Sequence, residues 1–275
     1  MNVMPVAFCP PFAEQATFEF LGRRCAVTDL SHLIAEDDPT FPGHQRPLLW
    51  QHLSHEETQR LGLAKPPYSY QVVGFTLCDH SSTHVDAINH VVDRPDARSI
   101  DQMPLQWFMA PAVWLDFAWK GPSSYITRED VDRELARTGV RIRPQSVVLY
   151  HTGWYRKYRT DRFGYIREYP GLDRGATEYL NDLGAVSIGA DAPSIDSWRE
   201  VAEVRVQPAH IVCREREILN IENLANVDKI PAHAFWFVGL PLKLSGGSGS
   251  PFRGVALVDL GPEGGDVAKN EQRGG

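Results

Sequence analysis

Residues 80–90 read His-Ser-Ser-Thr-His-Val-Asp-Ala-Ile-Asn-His and concentrate side chains that can bind a metal or carry a proton. The candidates are His80, His84, Asp86 and His90, so three of the ten histidines in the chain lie in this stretch. Imidazole and carboxylate groups suit Zn²⁺, Mn²⁺ or Fe²⁺. Because a bound metal can activate water, the cluster predicts a hydrolase. A histidine-rich surface loop is the alternative interpretation of the stretch taken alone.

The spacing of these four side chains restricts the backbone between them. An extended strand would point them to one face but spread them over ~33 Å, at about 3.3 Å per residue. In a helix, His80 and His84 share a face, but Asp86 lies roughly 200° further round than His84 at ~100° per residue. Neither regular element brings the four groups to one point. We therefore predict that the segment bends, as the end of a strand over residues 71–78 that runs into a loop or short helix.

The composition disfavours several classes of protein. The chain has 275 residues, of which 43% are hydrophobic, and can bury a large core, as one large α/β domain or two small ones. The net charge is −7 and there is no Lys/Arg-rich run, so we do not expect a nucleic-acid partner. No apolar run approaches the ~18 residues of a membrane span, and the N-terminus does not resemble a signal peptide. Four scattered cysteines without a CxxC pair suit a reducing cytosol, which predicts a cytoplasmic protein.

Apolar runs rich in Val, Ile, Phe and Trp recur along the chain and predict strands. They cover residues 110–117, 146–151, 185–189, 209–213, 234–241 and 254–260. Helical patterns are fewer and cover residues 127–138, 175–183 and 222–228. The first two of these helices end at Gly139 and Gly184, as helices commonly do. Because strands outnumber helices, we predict an α/β fold with a mixed sheet core and few flanking helices.

Two further candidate ligands lie far downstream in the chain. His210 begins a predicted strand, and Glu222 begins a predicted helix. Each is ambiguous alone, because a histidine at a strand start is often structural and a glutamate at a helix start often interacts with the helix dipole. Two carboxylates in apolar surroundings, Asp191 and Asp196, follow another predicted strand. A glycine-rich loop over residues 246–251 lacks the features of a phosphate loop. We expect the backbone of this loop to pass close to a functional site.

The stretch over residues 80–90 resembles the signature His-x-Gly-Thr-His-x-Asp-x-Pro-x-His of the metal-dependent cyclase family. This family includes bacterial kynurenine formamidase and isatin hydrolase. The three histidines, the Thr and the Asp match, whereas Ser82 replaces Gly and Ile88 replaces Pro. Other family segments follow the same order along the chain: Asp29-Leu-Ser-His32, Thr152-Gly-Trp154, Gly189-Ala-Asp-Ala-Pro-Ser-Ile-Asp196 and Leu240-Pro-Leu-Lys-Leu-Ser-Gly-Gly-Ser-Gly-Ser-Pro251. We accordingly predict an N-terminal arm over residues 1–26, one domain over residues 27–260 and a disordered tail over residues 261–275.

The resemblance implies a swivelling β/β/α single domain that forms a homodimer or homotetramer. It implies Zn²⁺ or Mn²⁺, as one or two ions, and five ligands: His80, His84, Asp86, His210 and Glu222. The first three would bind one ion, and Asp86 would bridge to a second. His90 would be the catalytic acid/base rather than a ligand. Ser82 adds a Cβ that matters only where the backbone needs a positive φ, and Ile88 loosens the loop that positions His90.

We therefore predict an enzyme that uses a metal-bound hydroxide to open a small amide, lactam or lactone. The alternative is a non-hydrolytic cyclase or dehydratase of secondary metabolism that uses the same metal as a Lewis acid. A third hypothesis is a metal-binding protein without turnover. Several aromatic side chains either line an apolar pocket or, as we favour, belong to the core. They are Phe41, Trp107, Phe108, Trp154 and Trp236.

Overall fold

A ten-stranded mixed sheet runs through the computed structural model, which describes residues 15–91 and 93–261. The strands are β1 (Gln15–Phe20), β2 (Arg23–Asp29), β3 (Leu48–Leu53), β4 (Val72–Thr76), β5 (His84–Asp86), β6 (Met109–Asp116), β7 (Tyr125–Ile126), β8 (Ser146–His151), β9 (Gly171–Leu172), β10 (Ala185–Ala190), β11 (Leu219–Glu222), β12 (Ala234–Val238), β13 (Gly249–Pro251) and β14 (Val255–Asp259). The α-helices are α1 (His55–Arg60), α2 (Arg128–Thr138), α3 (Lys157–Thr160), α4 (Arg162–Tyr165), α5 (Arg174–Asp182) and α6 (Pro208–Arg216). Short 3₁₀ helices cover Ile88–His90, Ile100–Gln102, Leu105–Trp107, Trp154–Arg156 and Val227–Lys229, and Glu200–Val204 is a π-helical turn.

The large sheet has the order β1-β2-β14-β12-β6-β8-β10-β11-β5-β13. Its central strands β6, β8, β10 and β11 are parallel, and the strands on both sides of them pair antiparallel. All residues of β8 are buried, as expected for a parallel strand covered on both faces. At one end of the sheet, β11 pairs with β5 so that Glu222 lies opposite His84 and Asn220 lies opposite Asp86.

Alternate side chains of β8 enter two apolar cores on opposite faces of the sheet. Val147 and Leu149 belong to one core, and Val148 and Tyr150 belong to the other, which follows from the two-residue period of a strand. Buried residues of α2, α5 and α6 complete the second core. The predicted α/β fold with a mixed sheet and few helices is confirmed.

Two predicted helices and six predicted strands lie where the patterns place them. Helix α2 follows Thr127 and ends at Gly139, whose φ is 71°, and Asp130 accepts a hydrogen bond from the Thr127 backbone N–H at 2.9 Å. Helix α5 follows the cap residue Asp173. Strands β6, β8, β10, β12 and β14 match the predicted apolar runs, and β4 matches the strand predicted before the metal-ligand stretch.

Two secondary-structure predictions around the downstream ligands are wrong. Residues 209–213 belong to helix α6 rather than to a strand, because a short apolar run does not distinguish a strand from a buried helix. Pro208 starts this helix, where proline is well suited to the first turn. Glu222 ends strand β11 rather than starting a helix. After it, Asn223 and Asn226 have φ values of 56° and 57°, which interrupt a helix.

The predicted arm and tail are only partly within the described residues. Residues 15–26 form β1 and part of β2 at the edge of the large sheet, and residues 1–14 and 262–275 lie outside the described residues. The domain boundaries therefore stay predictions. Among the helices of residues 15–91 and 93–261, none is both long and apolar enough to cross a membrane.

Candidate metal centre

The segment over residues 80–90 bends and closes on itself. His80 lies in a turn, His84 and Asp86 are the ends of strand β5, and His90 ends a 3₁₀ helix. The donor atoms of His80, His84 and Asp86 lie within 4.8 Å of one another. Their side chains are at most 7% exposed. The predicted bend is confirmed, and the interpretation as a surface loop is wrong.

Asp86 is the centre of this group. Its Oδ1 atom lies 2.7 Å from His80 Nδ1 and 3.3 Å from His84 Nε2. Burial raises the pKa of the Asp86 carboxyl, but the surrounding imidazoles outweigh burial and keep that pKa well below its usual value. A buried carboxylate that stays charged needs a partner cation. Two imidazole nitrogens and a carboxylate oxygen form a donor set that fits Zn²⁺ or Mn²⁺, so these residues fit the implied metal.

The two imidazoles are oriented by partners on their far side. His84 Nδ1 lies 2.8 Å from the carbonyl oxygen of Ser82, and His80 Nε2 lies 2.9 Å from Ser248 Oγ. These contacts leave the other nitrogen of each ring facing Asp86. Partners of this kind fix the tautomer and orientation of metal-binding histidines.

The glycine-rich loop packs directly against His80. A Cβ atom added to Gly249 would lie 2.8 Å from His80 Cε1 and 2.8 Å from the Val85 carbonyl oxygen. Glycine is therefore needed for strand β13 to approach β5 beside the ligands. The close backbone approach predicted for this loop is confirmed.

His210 and Glu222 lie opposite the first group. His210 Nδ1 lies 2.6 Å from Asp196 Oδ2, and its Nε2 lies 3.5 Å from Asp86 Oδ2 and 3.3 Å from Glu222 Oε1. Glu222 Oε2 lies 3.5 Å from His84 Nε2. Burial lowers the pKa of His210, but the carboxylates around it raise this pKa well above its usual value. The fold thus brings all five predicted ligands to one buried place that favours positive charge.

His90 lines the more open side of this place. Its side chain is 28% exposed, and its Nε2 lies 3.9 Å from Asp86 Oδ2. Burial and the positive charges of His80 and His210 lower the pKa of His90, which favours the uncharged ring. The donor atoms of Asp86, His90 and His210 also lie within 4.8 Å of one another. The role of His90 as acid/base rather than ligand therefore stays a prediction.

A cavity of about 230 Å³ opens above the ligands. Its lining includes five of the residues named above, His80, His84, His90, His210 and Glu222, together with Phe41, Tyr165 and Ile166. Of the aromatic residues considered above, only Phe41 borders this cavity. Phe108 and Trp154 are in the core, Trp107 packs against it, and Trp236 is 56% exposed on β12.

The remaining family-like segments stabilise the loops around the centre. Thr83 Oγ1 accepts a hydrogen bond from the His32 backbone N–H at 2.9 Å and donates one to the Asn223 carbonyl oxygen at 2.5 Å. Asp191 accepts hydrogen bonds from the backbone N–H groups of Thr152 and Gly153 at 2.8 and 2.9 Å. These contacts connect segments that are far apart in the sequence.

The two departures from the family signature, Ser82 for Gly and Ile88 for Pro, have different structural consequences. Ser82 has a φ of 54°, a left-handed conformation in which a Cβ is unfavourable. The sequence predicts that Ser82 in place of Gly matters only where φ is positive, and this condition is met. Ile88 is 2% exposed and belongs to the apolar core beside β5, so packing anchors the turn that carries His90.

Asn220 is a residue of the centre that the sequence reasoning missed. Its Nδ2 atom lies 2.9 Å from Asp86 Oδ2, 2.9 Å from His210 Nε2 and 2.9 Å from Glu222 Oε1. The signal was present, because a strand over residues 219–222 directs Asn220 and Glu222 to the same face. Treating Glu222 as the start of a helix concealed it. Ser248 was also missed as the partner of His80.

Comparisons with known proteins agree with this arrangement. The Cyclase family model matches residues 28–197. Kynurenine formamidase of Salinibacter ruber is 25% identical over 241 residues, which cover 84% of this chain and 96% of that protein. Isatin hydrolase of Roseibium aggregatum is 27% identical over 202 residues, which cover 70% of this chain and 74% of that protein.

A solved structure shares the fold. The crystal structure of an isatin hydrolase bound to the product analogue thioisatinate has a TM-score of 0.75 and 23% identity, and the match covers 86% of this chain and 93% of that one. The predicted fold class and the predicted assignment to a hydrolase are confirmed by these relatives. Because its family model covers more than half of the sequence, this chain belongs to the Cyclase family.

Proposed function

We propose that this hydrolase opens the carbonyl–nitrogen bond of a small amide or lactam, or the carbonyl–oxygen bond of a lactone, with a divalent ion bound by His80, His84 and Asp86. The observation that carries the proposal is the convergence of these donors at one buried point, within 4.8 Å of one another, below a cavity. The names of the relatives support a carbonyl–nitrogen bond, because they specify a formamidase and an isatin hydrolase.

The donor chemistry supports a borderline metal such as Zn²⁺ or Mn²⁺. When bound, such an ion supplies a Lewis acid that polarises a carbonyl group and lowers the pKa of water. His210 and Glu222 line the same cavity. Their Nε2 and Oε1 atoms are 3.3 Å apart, close enough to contact the same bound molecule.

His90 is the proposed proton carrier. Hydrolysis adds water to the carbonyl carbon and breaks the bond to the leaving nitrogen or oxygen, so one proton must move from water to the leaving group. His90 borders the cavity, and its side chain is 28% exposed, so the ring can reach both water and substrate. An imidazole is well suited to this exchange near neutral pH.

The cavity supports a small substrate. Its volume of about 230 Å³ is below the roughly 300–1,000 Å³ of pockets that enclose drug-sized ligands. Phe41 and Ile166 provide apolar contact in the same cavity as the histidines. A compact ring bearing a carbonyl group fits this combination of an apolar wall and a polar floor.

A panel of isatin, an aryl formamide and an aryl lactone tests the proposal, with product mass as the readout. Hydrolysis adds one water, whereas a cyclisation does not. We expect Asp86→Asn to abolish both metal binding and turnover. Asp96→Asn is the matched control, because Asp96 is 77% exposed and pairs only loosely with Arg94 at 3.5 Å. Turnover by Asp86→Asn at the wild-type rate, or a product of unchanged mass, would exclude the proposed reaction.

A further inference from the structure

Asn220 occupies the place where a second ion would contact this chain. It is 2% exposed in the middle of β11. Its Nδ2 atom lies 2.9 Å from each of Asp86 Oδ2, His210 Nε2 and Glu222 Oε1. These three atoms are the ones that a bridging aspartate, a histidine and a glutamate would offer to a second metal. A separation of 2.9 Å is a hydrogen-bond length, whereas metal–ligand distances are roughly 2.0–2.2 Å.

The two oxygens of each carboxylate point to different sides. Asp86 Oδ1 faces His80 and His84 at 2.7 and 3.3 Å, and Glu222 Oε2 faces His84 at 3.5 Å. Asp86 Oδ2 and Glu222 Oε1 both face Asn220 at 2.9 Å. One oxygen of each carboxylate therefore faces the histidines of the first group, while the other accepts a hydrogen bond from the amide. Hydrogen bonds of this kind orient carboxylate ligands of a single metal.

The orientation of the amide follows from its neighbours. If the amide carbonyl oxygen replaced Nδ2, it would lie 2.9 Å from two carboxylate oxygens, which repel it. With Nδ2 in this place, Asn220 Oδ1 is buried without a hydrogen-bond partner, which costs stability. In return, the two N–H groups of the amide point at the buried carboxylates of Asp86 and Glu222.

His210 is held from its other side, where its Nδ1 lies 2.6 Å from Asp196 Oδ2. This contact directs Nε2 of the ring toward Asn220 Nδ2 at 2.9 Å and Glu222 Oε1 at 3.3 Å.

We propose that Asn220 takes the place of a second cation, so that the centre binds a single divalent ion at His80, His84 and Asp86. The inference rests on the proposed function and refines it, because it specifies the number of ions. His210 becomes a residue that positions Asn220 and Glu222 rather than a ligand. The amide N–H groups partly offset the charge of the two carboxylates without adding a Lewis acid.

Ion content separates this proposal from a two-ion centre. Full-length protein is equilibrated with excess Mn²⁺, freed of loose ions by gel filtration and assayed by elemental analysis and electron paramagnetic resonance. We expect about one ion per chain in the wild type, with the spectrum of an isolated ion, and about one in His210→Ala. We expect Asn220→Ala, which removes the amide, to bind about two ions with the spectrum of a coupled pair.

Other ion counts would contradict either the role of Asn220 or the proposed function. About two ions in the wild type would overturn the inference while leaving the proposed function intact. A fall to one ion in His210→Ala would then make His210 a ligand, and a fall to one ion in Asn220→Ala would make the Asn220 amide oxygen a ligand. About one ion in both the wild type and a folded Asn220→Ala variant would show that Asn220 does not exclude the second ion. Absence of bound ion in the wild type would overturn the proposed function itself.

Discussion

Replacing Ser82 by Gly and by Ala separates the backbone at this position from its side chain. Ser82 is buried with a φ of 54°, its Oγ accepts a hydrogen bond from the Tyr158 hydroxyl at 3.1 Å, and its carbonyl oxygen lies 2.8 Å from His84 Nδ1. Both substitutions remove the hydroxyl group equally. They differ only in the Cβ atom, which is unfavourable in the left-handed conformation that orients His84.

The expected difference follows from two opposing effects. A Cβ in the left-handed region costs roughly 1–2 kcal/mol relative to glycine, and the greater freedom of glycine in the unfolded chain offsets roughly 0.5–1 kcal/mol of this. Ser82→Gly should therefore be more stable than Ser82→Ala by about 1 kcal/mol, or about 2–4 °C in Tm for a domain of this size. Relative to wild type, Ser82→Ala should lose about 1 kcal/mol with the hydrogen bond, whereas Ser82→Gly should be nearly unchanged.

Urea and thermal unfolding of the two variants, at equal metal content, measure this difference. Ser81, buried in the same turn at 5% exposure and without a positive φ, provides the control pair. There the order should reverse, with Ser81→Ala more stable than Ser81→Gly by roughly 0.5–1 kcal/mol. If Ser82→Ala equalled or exceeded Ser82→Gly in stability, the argument from backbone conformation would be refuted.

Three further substitutions test the centre and its supports. His90→Ala should keep its metal but lose roughly 10²–10⁴-fold in kcat, with the smallest loss for good leaving groups; loss of metal in proportion to activity would instead make His90 a ligand. Asp191→Ala should lower the free energy of unfolding by roughly 3–5 kcal/mol, and a change below about 1 kcal/mol in urea unfolding would contradict its role in joining two loops. Gly249→Ala should displace His80 and weaken metal binding in a titration, whereas Gly175→Ala, whose Cβ meets nothing closer than 3.5 Å, should bind metal normally.

The chain segment around the centre could be predicted from local spacing. His80, His84 and Asp86 lie too near one another in sequence to converge on a straight element, so a bend followed from geometry alone. The position of His210 could not be derived in this way. It meets Asp86 only because α6 and β11 return to the same end of the sheet as β5, and local patterns do not contain the topology of a sheet. Resemblance to a family supplied that information.

Other features depend on context that a single sequence does not carry. The apolar run over residues 209–213 has no period long enough to separate helix from strand, and tertiary packing made it a helix. The positive φ of Ser82 is imposed by its surroundings, since serine has no preference for it. Asn220 was within reach, because two-residue alternation aligns it with Glu222, but that required recognising β11 as a strand.

Stepwise reconstitution of metal-free protein tests whether hydrolysis depends on the bound ion. The protein is stripped with dipicolinate, and Zn²⁺ or Mn²⁺ is added back while turnover of the best substrate from the amide, lactam and lactone panel and bound metal are measured on the same samples. We expect no turnover in the stripped protein and a return of activity in proportion to the ion bound, with no return in Asp86→Asn. Undiminished hydrolysis by metal-free protein would contradict it.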